Sequence, residues 1–278
     1  MIKKLIFGAT ALFFLHDGNA QQLKTPAPSP STTVKQEFAL SNIELSFSRP
    51  GMKGRKIFGD LVPYGKVWRT GANSATTVTF GEDVTIGDKK VPAGKYGLLT
   101  IPGADSWTVI ISKQTDVTSP AAYKQDQDVV RVIVTPVSLP FSIETFNIGV
   151  DAISSNSCTI GLLWDNVYVP VPVTADVESK VMKQISDAMD KDNRPYFAAA
   201  MYYLDNGKDL NKALEWFTKA EAANPAAFWV VHQKANCLAK LGKKQEAIAA
   251  ANKSKEMATA AKNDDYVALN DKLLATLK

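Results

Sequence analysis

GLLWDNVYVPVPV, Gly161–Val173, holds the pattern that decides the fold class. Val167, Val169, Val171 and Val173 alternate with Tyr168, Pro170 and Pro172, so one side of this segment is uniformly branched and apolar. A period of two is what a strand with one buried face requires, because successive side chains point to opposite faces. The same period runs back to Ala39. Ile43, Leu45 and Phe47 share one face while Glu44 and Ser46 take the other, and further runs follow at Thr76–Phe80, Val84–Ile86, Tyr96–Ile101, Trp107–Ser112, Val129–Thr135, Ile143–Val150 and Cys158–Trp164. Gly87-Asp88 and Pro102-Gly103 are typical of the turns that punctuate them. Many short strands with no helical period between them predict an antiparallel sandwich or barrel. The reading adopted is a β-sandwich over residues 36–175.

Beyond Val173 the period becomes helical, and the segment from Asp176 to Lys278 is rich in Ala, Lys, Leu and Asn. An internal repeat is visible there. Ala213, Phe217 and Ala220 recur 34 positions on as Ala247, Ala251 and Ser254, and Leu204 recurs as Leu238. Small residues at these points let two helices approach closely, and Pro225 ends a helix because it cannot continue the backbone ladder. Residues 176–278 therefore resemble tetratricopeptide repeats, with a capping helix expected over Asp264–Leu277. Trp229, His232 and Asn236 fall on one helix face. They are candidates for a groove holding a protein or peptide segment, or else pack against a neighbouring helix or the β-half.

The start of the chain reads as a secretory signal peptide, residues 1–20. Lys3 and Lys4 are its basic region, Leu5–Leu15 its apolar run, and Gly18-Asn19-Ala20 a small-residue cleavage site. The apolar run is shorter than the roughly 20 residues a membrane span needs, and no membrane span is expected elsewhere. The expectation is an exported protein cleaved after Ala20, periplasmic or secreted. Residues 21–35 are rich in Pro, Ser and Thr and predict an extended linker. The formal charge of +4 is too small to indicate a nucleic-acid partner. Cys158 and Cys237 read as small buried residues or, in an oxidising compartment, as a bridge.

The segment least like ordinary strand and turn is RPGMKGRKIFGDLVPYGKVWRTGAN, Arg49–Asn73. Arg49, Lys53, Arg55, Lys56, Lys66 and Arg69 face one acid within it, Asp60. Arginine presents a rigid donor fork suited to carboxylate or phosphate. Tyr64 and Trp68 offer a face for a sugar or aromatic ligand, and Asn73 offers a donor and an acceptor. Arg49, Lys53, Arg55, Tyr64, Trp68, Arg69 and Asn73 are thus candidates for binding an anionic or sugar-like ligand. The alternatives are structural, with Trp68 a core anchor and Arg69 and Asn73 bonding loop carbonyls or Asp60, or catalytic.

This string, with AGKYGLLTIPG (Ala93–Gly103), Trp107 and Gly161–Val173, resembles the signature of an exported bacterial family known as domain of unknown function 2911. The resemblance covers roughly residues 36–175. It implies a compact β-domain, often followed by a helical repeat segment, and brings no activity or catalytic residue with it.

Several chemistries are excluded on composition. Of the two histidines, His16 lies in the signal peptide and His232 in the helical half, so the β-half has none. A Ser-His-Asp or Cys-His arrangement confined to it is therefore impossible, and no metal or cofactor site is expected. Paired carboxylates for hydrolysis remain available among Glu37, Glu44, Asp60, Glu82, Asp83, Asp151 and Asp165, with no spacing that selects two. The expected function is a non-catalytic binding or scaffolding protein of the cell envelope; the alternative is a carboxylate-dependent hydrolase in the β-half.

Overall fold

The structure is a computed structural model and describes residues 25–189 and 194–278. The expected signal peptide and the first residues of the linker lie outside the described residues. The chain divides into two compact units at Ala175/Asp176, the position at which the sequence period changes.

Among the described residues the first unit holds two antiparallel sheets. One contains β1 (Ser31–Phe38), β2 (Ser41–Ser48), β3 (Thr77–Phe80), β6 (Gly94–Ile101), β7 (Trp107–Ser112) and β8 (Asp128–Val134), in the order β1-β2-β3-β6-β7-β8. The other contains β4 (Val84–Ile86), β5 (Lys89–Val91), β9 (Val137–Asp151) and β10 (Ser157–Ala175), in the order β5-β4-β10-β9. Their facing sides supply the core, where Phe47 of β2 meets Phe146 of β9 edge to face at 6.0 Å. The alternation read from the sequence is what is buried: Ile43, Leu45 and Phe47 in one sheet, and Val169, Val171 and Val173 in the other.

Two details differ from expectation. β1 begins at Ser31, so Ser31–Lys35, which composition places in the linker, form a strand paired along its length with β2. Its Thr33 and Ser46 hydroxyls bond across the pair at 2.8 Å, which polar residues at an edge strand favour over solvation. The runs Cys158–Trp164 and Val167–Val173, read as two strands, are one. β10 bends through register shifts on either side of Asp165, whose φ is +51° and whose carboxylate accepts from the Ser142 hydroxyl at 2.9 Å. A bulge re-aims a strand without ending it, so turn-like residues at 165 and 166 mark a bend.

Gly97 is required by close approach. A Cβ there would lie 2.2 Å from the carbonyl oxygen of Gln114, so the segment after β7 lies directly on β6. That segment walls the site described below.

Among the described residues the second unit holds six helices: α1 (Val177–Met189), α2 (Tyr196–Asp205), α3 (Leu210–Ala223), α4 (Phe228–Lys240), α5 (Lys244–Ala260) and α6 (Asp264–Thr276). From α2 onward each packs on the next, and α2 also meets α4 and α4 meets α6, as stacked helical hairpins require. Ala213, Phe217, Ala220, Ala247, Ala251 and Ser254 are all buried. The two hairpin turns, at Gly207 (φ +61°) and Gly242 (φ +74°), are one residue out of the 34-residue register. The first turn accommodates the extra residue before Asp209, whose carboxylate caps α3 by accepting from the Asn211 and Lys212 amides. Glu221 of α3 accepts from Lys234 of α4 and Lys253 of α5, each at 2.8 Å, tying three helices together. Among the described residues no helix is long and apolar enough to cross a membrane.

Candidate functional site

The Arg49–Asn73 segment crosses one end of the sandwich and is pinned to both sheets. At its start the Met52 amide donates to Glu144 O (2.8 Å), the Phe146 amide to Pro50 O (2.9 Å) and Arg49 Nε to Phe146 O (3.1 Å), all on β9. Near its end Trp68 pairs with Thr100 of β6 through two backbone bonds of 2.7 and 3.0 Å. Between them the chain closes a tight loop in which the Val62 amide donates to Ile57 O at 2.9 Å, with Ile57, Phe58 and Val62 buried.

Trp68 is an anchor. Its ring stacks on Trp164 (5.8 Å between centroids, 18° between planes) and meets Phe146 (5.2 Å), Phe58 (6.2 Å) and Trp107 (6.3 Å) at steep angles. Its indole N–H donates to Gly71 O at 3.0 Å. One face of the ring expected to meet a ligand is thus taken by Trp164, itself 2% exposed. After Trp68 the chain turns through Thr70 (φ +56°), Gly71 (φ +149°) and Asn73 (φ +58°). Gly71 is needed there, since a Cβ would lie 3.0 Å from Ser48 O in a conformation side chains rarely adopt. Asn73 donates to Ser29 O at 3.1 Å and approaches the Ser48 hydroxyl at 3.4 Å, holding the entry of β1 in place.

The cations behave differently from one another. Arg55 folds back on its own loop, donating from Nε to Met52 O (2.9 Å) and from Nη2 to Gly51 O (2.7 Å). Arg69 donates from Nη1 to Thr118 O at 2.6 Å, a loop carbonyl and not Asp60, while its Nε is buried with no partner among the described residues. Lys53 is exposed, its backbone amide donating to Glu144 Oε1 at 2.9 Å.

These elements enclose a cavity of about 390 Å³, within the size range of small-molecule sites. Arg55, Lys66, Arg69, Trp68, Trp164, Pro50, Pro63 and Pro120 are among the residues that line it. Among the described residues lining it none is acidic, so its charged side chains are all cationic. Of the sequence candidates, Arg55, Trp68 and Arg69 line it; Arg49, Lys53, Tyr64 and Asn73 do not. Arg49 and Asn73 act on backbone carbonyls, and Tyr64 is 47% exposed beside Gly59. Lys66, Trp164 and the Thr118–Pro120 wall were not among the candidates. Trp164 lies within the Gly161–Val173 motif, and only its contact with Trp68 gives it this place. Thr118 takes part through a backbone carbonyl, which no side-chain pattern announces.

The wall from Lys113 to Gln127 is held by a polar latch. The Tyr123 hydroxyl donates to Asp128 Oδ2, and Arg131 Nη1 donates to that oxygen at 2.9 Å and to the Tyr123 oxygen at 2.6 Å. Burial, with the neighbouring Asp128 carboxylate adding to it and Arg131 opposing, pushes the Tyr123 phenol from 10.0 up to about 12. The folded state therefore keeps this proton longer than the unfolded state. The associated stability is present below pH 10 and is lost as the pH rises towards about 12. Denaturant midpoints measured across that window should fall more steeply for the native protein than for Tyr123→Phe. Equal slopes would mean the latch does not hold the phenol.

The helical candidates are placed apart. His232 is 5% exposed and does not face an open groove. Its Nδ1 lies 2.8 Å from Asn270 Oδ1 because α6 packs over this face of α4. Trp229 is 37% exposed and meets Phe228 edge to face; Asn236 is half-buried and donates to Gln233 Oε1 at 3.1 Å. Cys158 and Cys237 are both free and buried, and burial pushes the Cys158 thiol up to about 11. Among the described residues no cluster of His, Cys, Asp or Glu is arranged to hold a metal ion.

No curated protein and no solved structure matches the chain. The sequence profile of the family described as protein of unknown function (DUF2911) matches residues 29–173. This span takes in both sheets except the last two residues of β10, together with the pinned segment and every residue lining the cavity. The chain belongs to the DUF2911 family.

Proposed function

We propose that this protein is a non-catalytic binding protein of the cell envelope whose β-unit takes a small anionic ligand in the cavity beneath the Arg49–Asn73 segment. The observation that carries the reading is a 390 Å³ cavity with Arg55, Lys66 and Arg69 in its wall and no acid among its described lining residues. Like charges gathered without counter-ions favour an anion that replaces the missing partner. The hydrolase alternative has no comparable support. Asp83 accepts the Ala93 amide at 2.9 Å, Asp165 is engaged at the β10 bulge, and neither lines the cavity.

Export rests on the basic, apolar and small-residue pattern of residues 1–20, with cleavage after Ala20 and a periplasmic or secreted product. The helical unit is read as two tetratricopeptide-like hairpins, α2–α3 and α4–α5, closed by α6. Recurrence of buried small residues at 213/247 and 220/254 supports this. Its exposed Trp229 is the place at which a protein partner would be sought.

The cavity is tested by titrating the protein with inorganic phosphate, sulfate, acetate and 2-naphthoate in a calorimeter at several salt concentrations. Screening lengths fall from about 30 Å at 0.01 M to about 3 Å at 1 M, so binding of the anions should weaken at least tenfold across that range. Binding that ignores salt, or a preference for neutral compounds, would count against the reading.

A further inference from the structure

We propose that the cavity's ligand is a carboxylate on an apolar body, and that Arg69 holds its two oxygens side-on through Nε and Nη2. This rests on the reading of the cavity as an anion site and adds which chemistry it selects. A guanidinium offers two usable edges. Arg69 Nη1 is committed to Thr118 O at 2.6 Å. The opposite edge carries Nε–H and an Nη2–H lying parallel, the spacing that matches two carboxylate oxygens. Nε on that edge is buried and unpartnered among the described residues, a costly condition for a charged donor that a small turn of the side chain towards a ligand acceptor would relieve.

Arg55 shows the contrast within the same wall. Its equivalent edge is already filled, Nε by Met52 O and Nη2 by Gly51 O. It therefore holds the loop and adds charge, while the corresponding fork of Arg69 has no protein acceptor. Lys66 is an exposed point charge. The apolar part of the lining favours a carboxylate over a phosphate. Pro50, Val62, Pro63, Val67 and Pro120 offer apolar contact and no side-chain N–H or hydroxyl, while the hydroxyls of the lining belong to Ser29, Thr118 and Ser119. A tetrahedral dianion engaged side-on has further oxygens to satisfy, and any turned towards the prolines and valines would lose water without gaining donors. A flat carboxylate uses both oxygens on Arg69 and presents its apolar body to the prolines.

The experiment compares 2-naphthoate, its neutral methyl ester, 2-naphthyl phosphate and acetate on the full protein by calorimetry. Naphthoate should bind best, with the ester and acetate each at least about tenfold weaker. Arg69→Lys keeps the charge but loses the fork, and should weaken naphthoate by about tenfold, with Arg69→Gln weaker by up to about 100-fold. Full affinity in Arg69→Lys, or naphthyl phosphate binding as well as naphthoate, overturns the carboxylate assignment while leaving the anion site in place. Failure of every anion to bind, inorganic phosphate and sulfate included, overturns the anion site itself. Should the Arg69 variants not fold, the native protein still decides. Its Arg69 Nε–H resonance should move downfield when naphthoate binds, and a bound naphthoate that leaves it in place overturns the proposal.

Discussion

Trp68→Ala is expected to destabilise the β-unit by about 3–5 kcal/mol, the usual cost of truncating a large, well-packed aromatic, although Trp68 itself is only half-buried. The expectation follows from what the ring touches. It stacks on Trp164 and meets Phe58, Trp107 and Phe146, so one side chain joins rings from the pinned segment, β7, β9 and β10. Each such pair contributes beyond its buried area. Truncation also leaves Gly71 O without its indole donor, at a turn already strained by φ values of +56° and +58° on either side. For a unit of this size the loss corresponds to a fall in melting temperature of about 6–20 °C. Trp68→Phe should recover much of it, because a ring remains and only the N–H is lost. A melt shifted by less than about 3 °C in Trp68→Ala would mean the cluster does not hold the segment, and the cavity would then be a mobile surface feature.

Asn270→Ala should cost the helical unit a similar amount, about 3–5 kcal/mol. Asn270 is fully buried. Its amide nitrogen donates to Tyr266 O at 2.7 Å and to the Ser254 hydroxyl at 2.9 Å, and its Oδ1 lies 2.8 Å from His232 Nδ1. With the nitrogen facing two acceptors, Oδ1 is the atom that accepts, so His232 carries a proton on Nδ1. Ser254 passes the chain on by donating to Phe228 O at 2.8 Å. Removing Asn270 leaves His232 without its acceptor and Ser254 without its donor, each costing about 1–3 kcal/mol, in addition to the cavity left behind. The loss should appear as a lower denaturant midpoint and as faster amide exchange across α6, which this network joins to α4 and α5. A midpoint unchanged within about 0.5 kcal/mol would show that α6 is held by its apolar contacts alone. The histidine nitrogen shifts provide a separate check, with the native protein expected to show protonated Nδ1.

Both effects concern residues whose types were visible in the sequence and whose partners were not. Trp68 stood out as an aromatic in a basic segment, and a core anchor was one of its alternatives. What assigns it to the core is Trp164, brought alongside by the bend in β10. His232 and Asn236 share a helix face by spacing alone, and that geometry holds. The covering of His232 depends on Asn270, 38 residues further on, in a helix that was itself expected.

The sequence by itself determined what depends on neighbours a few positions away. Alternation of apolar residues placed the strands, recurrence after 34 residues placed the paired helices, and the change of period near Val173 placed the boundary between the units. Burial enforces these patterns locally, so they survive in the residue order. Tertiary structure decided the rest. Asp165 became a bulge because the strands on both sides of it pair with β9. Arg55 and Arg69 are identical in type and lie 14 positions apart, yet only one keeps a donor edge without a protein acceptor. The carbonyls that fill or spare those edges belong to backbone folded against them, Gly51 and Met52 for one and Thr118, 49 residues distant, for the other. Backbone carbonyls carry no residue-type signal, so which cation remains available for a ligand is settled only when the chain has closed on itself.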